Sequence, residues 1–288
     1  MSNITLTSIL LSYSSEGSLD KMITAGIDVG ATSTKAVIMD GSKILAKYRQ
    51  MAGSEEELDE EQDEEQVIKS ALNGALAKAG ISKDAIDRIV ATGAGGKKVG
   101  FADAVVTDIS SGARGAVFEA PASRTVLDVG AEQAGVVKCD ADGNLLDFAS
   151  NERCAAGSGV FIESMARALQ ADFDKFIELH FESDKDILLN AQCTVFAESE
   201  VVSLINSAAT TTTADISRAI NNSIAERCSS MTRRVGIEQD ITVIGGVALN
   251  KGFIDSLERF LKSKVTVPED PIFTSAVGAA LIAQGKGE

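Results

Sequence analysis

A chain of 288 residues has the length of one large domain or of two ordinary ones. With 44% hydrophobic residues it can fill a core, yet no stretch reaches the ~18 uninterrupted apolar residues of a membrane span. Its 42 acidic and 27 basic residues leave a net charge of -15, a field that repels phosphate backbones and excludes nucleic acid as a partner.

Any nucleotide must therefore be held by local devices: backbone amides, a metal and one or two cations. Met1 to Lys21 has no basic n-region, and its apolar run, Ile9 to Leu11, is too short for a signal peptide. This segment is read as an N-terminal extension to a cytoplasmic protein. Ile23 to Val29 is apolar and ends in Gly30, the pattern of a strand running into a turn. A second strand, Lys35 to Met39, comes next, then an Asp40-Gly41 turn and a third strand, Ile44 to Tyr48. The acidic run Glu55 to Glu65 reads as a solvated loop or helix start. Val67, Ile68, Leu72, Ala75, Leu76 and Ala79 then share one face of a helix that Gly80 stops, and Ile86 to Ala91 is a strand.

The pattern restarts at Thr125. Thr125 to Val129 is a strand ending in Gly130, Gly135 to Cys139 a second, and Leu145 to Ala149 a third, after an Asp142-Gly143 turn. Each copy of this opening carries Asp-Val-Gly at the end of its first strand. Helices fill most of the remaining chain, one of them marked by Ile216, Ile220, Ile224, Cys228 and Met231. Ile241 to Ile244 is a strand entering Gly245-Gly246, and a closing helix runs from about Phe273 to Ala283. The reading is two α/β halves, residues 22–120 and 121–288, around a cleft.

Asp28-Val29-Gly30-Ala31-Thr32-Ser33-Thr34-Lys35 combines an acid at a strand end, a glycine turn, three hydroxyls and a lysine. Gly30 admits close backbone approach, and Ala31, Thr32, Ser33 and Thr34 supply amides and hydroxyls for phosphate oxygens. Lys35 is the compensating cation, and Asp28 is suited to hold Mg²⁺ through water. Asp128-Val129-Gly130-Ala131-Glu132-Gln133 repeats the device a hundred residues later, placing Gly130 and Gln133 at the same ligand. Gly245-Gly246-Val247-Ala248, after an apolar strand, fits a turn against adenosine. In this order the three signals resemble the phosphate-1, phosphate-2 and adenosine motifs of the actin, hexokinase and heat-shock-chaperone superfamily. That resemblance implies a duplicated, ribonuclease H-like fold closing on ATP. Gly95-Gly96-Lys97-Lys98 fails as a Walker motif, because lysine stands where Ser or Thr is required. The implied chemistry is positioning and electrostatics, with Asp28 and Asp128 at Mg²⁺ and either Asp128 or Glu132 orienting the attacking water.

Four cysteines, 139, 154, 193 and 228, are widely spaced, which is not a secreted disulfide framework. Cys139 at a strand end and Cys228 on an apolar helix stripe read as structural. Cys154, in Cys-Ala-Ala-Gly-Ser-Gly, and Cys193, in Cys-Thr-Val-Phe-Ala-Glu-Ser-Glu-Val, both precede helices, where a thiolate is favoured. From Ile23 to the C-terminus the chain resembles the activators of 2-hydroxyacyl-CoA dehydratases and the ATPase subunits of benzoyl-CoA reductase. These two cysteine strings carry the resemblance, with Ala91-Thr92-Gly93 and Gly245-Gly246-Val247-Ala248 beside them. It implies that Cys154 and Cys193 ligate half of a 4Fe-4S cluster shared between two subunits. It further implies ATP-driven, low-potential electron transfer from a ferredoxin-like donor to acyl-CoA-reducing subunits. Activators carry Gly-Gly-Gln after the second aspartate, whereas this chain has Gly130-Ala131-Glu132-Gln133. That departure favours a benzoyl-CoA reductase subunit, paired with a related subunit, over a homodimeric activator. A sugar kinase of the N-acetylglucosamine type is the iron-free rival and would need Asp103 or Asp108 as its acid; an actin-like filament protein is another. His180, the only histidine, reads as a surface residue.

Overall fold

The computed structural model describes residues 22–52, 60–151, 159–189, 194–206 and 211–285. β1 (Ile23–Val29), β2 (Ser33–Asp40) and β3 (Lys43–Met51) form an antiparallel meander, joined where Gly41 takes φ +54°. β4 (Arg88–Thr92) pairs parallel to β1, and the short β5 (Ala104–Val105) extends the sheet, giving the order β3-β2-β1-β4-β5. Strand alternation divides the apolar residues between two covered faces. Ala36 and Ile38 of β2 pack with Ile68, Leu72 and Leu76 of α1 (Glu60–Ala79), which ends at Gly80 with φ +68°. Val37 and Met39 point the other way, onto Ala276, Val277 and Ala280.

The second half repeats the plan. β6 (Thr125–Val129), β7 (Ala134–Cys139) and β8 (Leu145–Ser150) form the meander, and β9 (Ile241–Ile244) pairs parallel to β6, giving β8-β7-β6-β9. Between β8 and β9 lie α3 (Gly159–Ala168), α4 (Phe173–Phe181), α5 (Thr194–Asn206) and α6 (Thr213–Val235). A reciprocal pair, Thr212 Oγ1 accepting from Asp215 N–H and the Asp215 carboxylate accepting from Thr212 N–H, starts α6. Ile216, Ile220 and Ile224 then pack under Leu127, Val129 and Val136. After β9 the Asn250 side chain caps α7 (Lys251–Leu261) by accepting from Gly252 and Phe253 N–H groups.

α2 (Asp108–Glu119) and α8 (Thr274–Ala283) lie between the two sheets and cross each other. Chain order and packing diverge here. α2 precedes residue 121 but packs Ala113 and Ala116 on Val126, Val137 and Ile244 of the second sheet. α8 follows it but packs on the first sheet, so the two helices reach across the middle of the chain. The crossing is made of small residues. A Cβ on Gly278 would stand 1.8 Å from the Ser111 carbonyl oxygen, and one on Gly115 1.9 Å from that of Thr274. Gly26, mid-strand in β1, is similarly fixed by the Ala276 carbonyl oxygen at 1.9 Å. Among the described residues, no helix is long and apolar enough to cross a membrane.

Candidate active site

β1 and β6 hold the same place in their two sheets, and their last polar residues, Asp28 and Asp128, line one cleft of about 600 Å³. Each aspartate is followed by the same turn: Gly30 N–H donates to Ser33 O at 3.2 Å, and Gly130 N–H to Gln133 O at 2.9 Å. The turns leave the amides of Ala31, Thr32, Ala131 and Glu132 without a partner among the described residues, and all four residues line the cleft. Successive amides exposed in a turn form a concavity suited to phosphate.

Each aspartate also has a glycine opposite it on the neighbouring parallel strand. Gly93 follows β4 with φ +84°, and a Cβ there would stand 2.4 Å from Asp28 Oδ1 and 2.6 Å from Val29 O. Gly245 follows β9 with φ +88°, and its Cβ would stand 2.5 Å from both Asp128 Oδ1 and Val129 O. The two glycines make room for the carboxylates, and each leads into a short 3₁₀ turn, Gly96–Lys98 or Gly246–Leu249.

The acids are crowded. Burial pushes the Asp28 carboxyl above its ordinary pKa, against the pull of Lys35, whose Nζ lies 3.5 Å from Asp28 Oδ2. Burial, with the charges of Asp28 and Asp108 added, raises Asp128 to about 7, opposed by Lys35 and by a hydrogen bond from Ser275. Two carboxyls destabilised in this way form a site that a divalent cation would relieve. Arg49, whose Nε donates to Ser33 Oγ at 3.1 Å, adds a second cation to the cleft wall.

Of the residues singled out in the sequence, Asp28, Gly30, Ala31, Thr32, Ser33, Lys35, Asp128, Gly130, Glu132, Gln133, Gly245 and Gly246 line the cleft. Thr34 does not line it. Alternation along β2 sends Ser33 and Lys35 to the cleft side and buries Thr34 on the other face. Gly93, Asp108 and Ser275 are cleft residues that the nucleotide motifs did not include. Gly93 had a signal, since a glycine follows the fourth strand of both halves. Asp103, by contrast, accepts the Ile89 N–H at 2.7 Å and serves the backbone.

Cys154 and Cys193 lie outside the described residues, and the helices that follow them in the chain begin at Gly159 and Thr194. Cys139 and Cys228 are buried, with thiols pushed up to about 11 and 12 by burial, as inert core residues. His180 is not at the surface. It is fully buried, with Nε2 3.1 Å from Asp255 Oδ2 and Nδ1 3.3 Å from Asn221 Nδ2. Its partners come from α6 and α7, which supply the polar contacts that make burying an imidazole tolerable.

Two sheets of one plan, each delivering an aspartate, a glycine turn and a facing glycine to a shared cleft, define an actin/hexokinase-like fold. The chain belongs to the BadF/BadG/BcrA/BcrD ATPase family, whose model matches residues 25–283. It is similar to the activator of lactoyl-CoA dehydratase of Anaerotignum propionicum, at 36% identity over 91% of this chain and 97% of that protein. The 2-hydroxyisocaproyl-CoA dehydratase activator of Clostridioides difficile is 34% identical over 91% of this chain and 95% of its own length. The solved structure of that activator, with bound ADPNP, superposes with a TM-score of 0.82 over 92% of this chain and 95% of that one. A benzoyl-CoA reductase subunit of Thauera aromatica stands further off, at 29% identity over 90% of this chain and 92% of that protein. The preference for a reductase subunit drawn from Gly130-Ala131-Glu132-Gln133 is therefore reversed. That preference rested on one short turn, whereas identity over about nine-tenths of the chain is 34% and 36% to the two activators and 29% to the reductase subunit.

Proposed function

We propose that this protein is an activator-type ATPase, which uses ATP hydrolysis to drive a low-potential electron into an acyl-CoA dehydratase. The observation that carries the reading is the paired device at the cleft: two aspartates, two turns with unpartnered amides and two facing glycines, repeated in both halves. A triphosphate between the turns would receive the amides of Ala31, Thr32, Ala131 and Glu132, with Lys35 and Arg49 compensating its charge. Asp28 and Asp128 would hold Mg²⁺ through water, and the metal would neutralise charge developing on the phosphates. Gly245 and Gly246 would leave a flat backbone surface against adenosine. The resemblance to dehydratase activators supports this assignment over a reductase subunit.

The electron function rests on Cys154 and Cys193. Each chain offers two thiolates, and a 4Fe-4S cluster needs four, so two copies of the chain would share one cluster at their interface. When bound, that cluster would supply the one-electron chemistry. The chain's own contribution would be mechanical: closure of the two halves on ATP, through the α2–α8 crossing, would move α3 and α5, the helices that follow Cys154 and Cys193 in the chain. A ferredoxin-like protein would refill the cluster between turnovers.

The test is hydrolysis by purified protein and by Asp28→Ala and Asp128→Ala. Both variants should lose ATP turnover while keeping their iron, because cleft and cluster use separate residues. A normal hydrolysis rate in both would overturn the nucleotide site.

A further inference from the structure

Asp108 belongs to neither phosphate motif, yet it stands in the same cleft. It is the first residue of α2, the helix between the two sheets, and Thr107 caps that helix by accepting from Ser110 N–H at 3.1 Å. Its Oδ1 accepts the N–H of Ile109 at 2.9 Å, and no cation among the described residues pairs with it. Its charge acts on both Asp28 and Asp128, so it lies close to each acid while sitting on a different wall.

That wall is rigid. The Ser111 hydroxyl is 2.8 Å from Oγ1 of Thr92, the β4 residue paired in register with Asp28. One turn further along α2, Gly115 is locked against the Thr274 carbonyl of α8. A carboxylate on such an element keeps its place when a ligand enters, which a water-orienting group requires. The other acids are less suited. Asp28 and Asp128 flank the turns that would hold the phosphates, and Glu132 is exposed on a loop.

We propose that Asp108 orients the attacking water in ATP hydrolysis and accepts its proton. This rests on the ATPase reading above. The water oxygen forms a bond to the γ-phosphorus as the bond from that phosphorus to the β–γ bridging oxygen breaks. ADP leaves with the bonding electrons, and the water's proton passes to the Asp108 carboxylate and then to solvent. A carboxylate near a triphosphate opposes binding, so its presence is better explained by the chemical step than by affinity.

The experiment compares the wild type with Asp108→Asn and Asp108→Glu, measuring ATP turnover without added sugar and affinity for ADPNP on the same samples. We expect Asp108→Asn to lower kcat by about 100-fold or more, the usual worth of a positioned proton acceptor. It should bind ADPNP no more weakly than the wild type, since one repelling charge is gone, and Asp108→Glu should recover part of kcat. Turnover by Asp108→Asn within about tenfold of the wild type overturns the assignment and leaves the ATPase reading standing. Loss of ADPNP binding in both variants marks Asp108 as part of the frame and also overturns it. A wild type that turns over ATP only when a hexose is added assigns Asp108 to a sugar hydroxyl instead of water. A wild type that binds ADPNP but does not hydrolyse ATP under any condition removes both readings.

Discussion

Gly245 offers the sharpest perturbation of the cleft. Its backbone sits at φ 88° and ψ 177°, a region that side-chain-bearing residues enter at a cost of about 1–3 kcal/mol. An added Cβ would also lie 2.5 Å from Val129 O and from Asp128 Oδ1, against ordinary contacts of 3.4–4 Å. Relieving that overlap requires β6 or the Asp128 side chain to move, at a further cost of about 1–3 kcal/mol. Gly245→Ala should therefore lose about 2–6 kcal/mol of stability, a large part of the ~5–15 kcal/mol that holds a native protein. It should lose ATP turnover as well, because the displaced carboxylate is Asp128. Gly246, one residue on, has nothing within 4 Å of its Cβ position and no positive φ. Gly246→Ala should leave stability unchanged or raise it by up to about 1 kcal/mol. Denaturant unfolding followed by circular dichroism, with slopes compared as well as midpoints, reads both effects. If Gly245→Ala unfolds within about 0.5 kcal/mol of the wild type and still hydrolyses ATP, the steric account of this glycine is wrong.

Three further outcomes are expected. Gly278→Ala puts a methyl 1.8 Å from the Ser111 carbonyl, so α2 and α8 must separate; we expect a loss of about 1–3 kcal/mol or more and weaker ADPNP binding, and an unshifted melting curve would contradict the crossing. His180 is held below its ordinary 6.5, chiefly by burial, against the pull of Asp255 and with Arg218 and Arg259 adding to the depression. The unfolded chain then binds the extra proton first, so this contribution is full above 6.5 and is lost as pH falls towards the folded value. Because Asp28 and Asp128, raised in the folded state, act with the opposite sign in the same range, the test is the difference between proteins. As pH falls below about 6.5, the wild type should lose unfolding free energy relative to His180→Gln, and equal slopes would refute the linkage. Cys154→Ala and Cys193→Ala should each abolish cluster binding with ATP binding largely retained, and a full iron complement in either would remove that residue from the ligand set.

Much of the frame is legible in the sequence because apolar runs meet glycine at their ends. Thr125–Val129 and Ile241–Ile244 are strands over the spans that the apolar runs mark. The twofold Asp-Val-Gly is legible because duplication repeats its local chemistry. α2 is not, since Ser111, Gly112, Ala113, Gly115 and Ala116 give no stripe of large apolar residues. Such a helix buries backbone against backbone, and that pairing becomes visible only with α8 in place. The partnership of Gly93 with Asp28 depends on parallel pairing of β1 and β4, which no local pattern encodes. His180 reads as a surface residue because its partners, Asn221 and Asp255, lie 41 and 75 residues away. Thr34 groups by composition with its hydroxyl neighbours, although strand alternation separates it from Ser33 and Lys35.

The measurement that bears most directly on the electron-transfer ATPase is iron and acid-labile sulfide per chain on anaerobically purified protein, with visible spectra before and after exposure to air. One cluster shared by two copies predicts about two irons and two sulfides per chain and a spectrum that oxygen bleaches. Protein that hydrolyses ATP but carries no iron under conditions that preserve clusters would keep the nucleotide site and contradict the electron-transfer function.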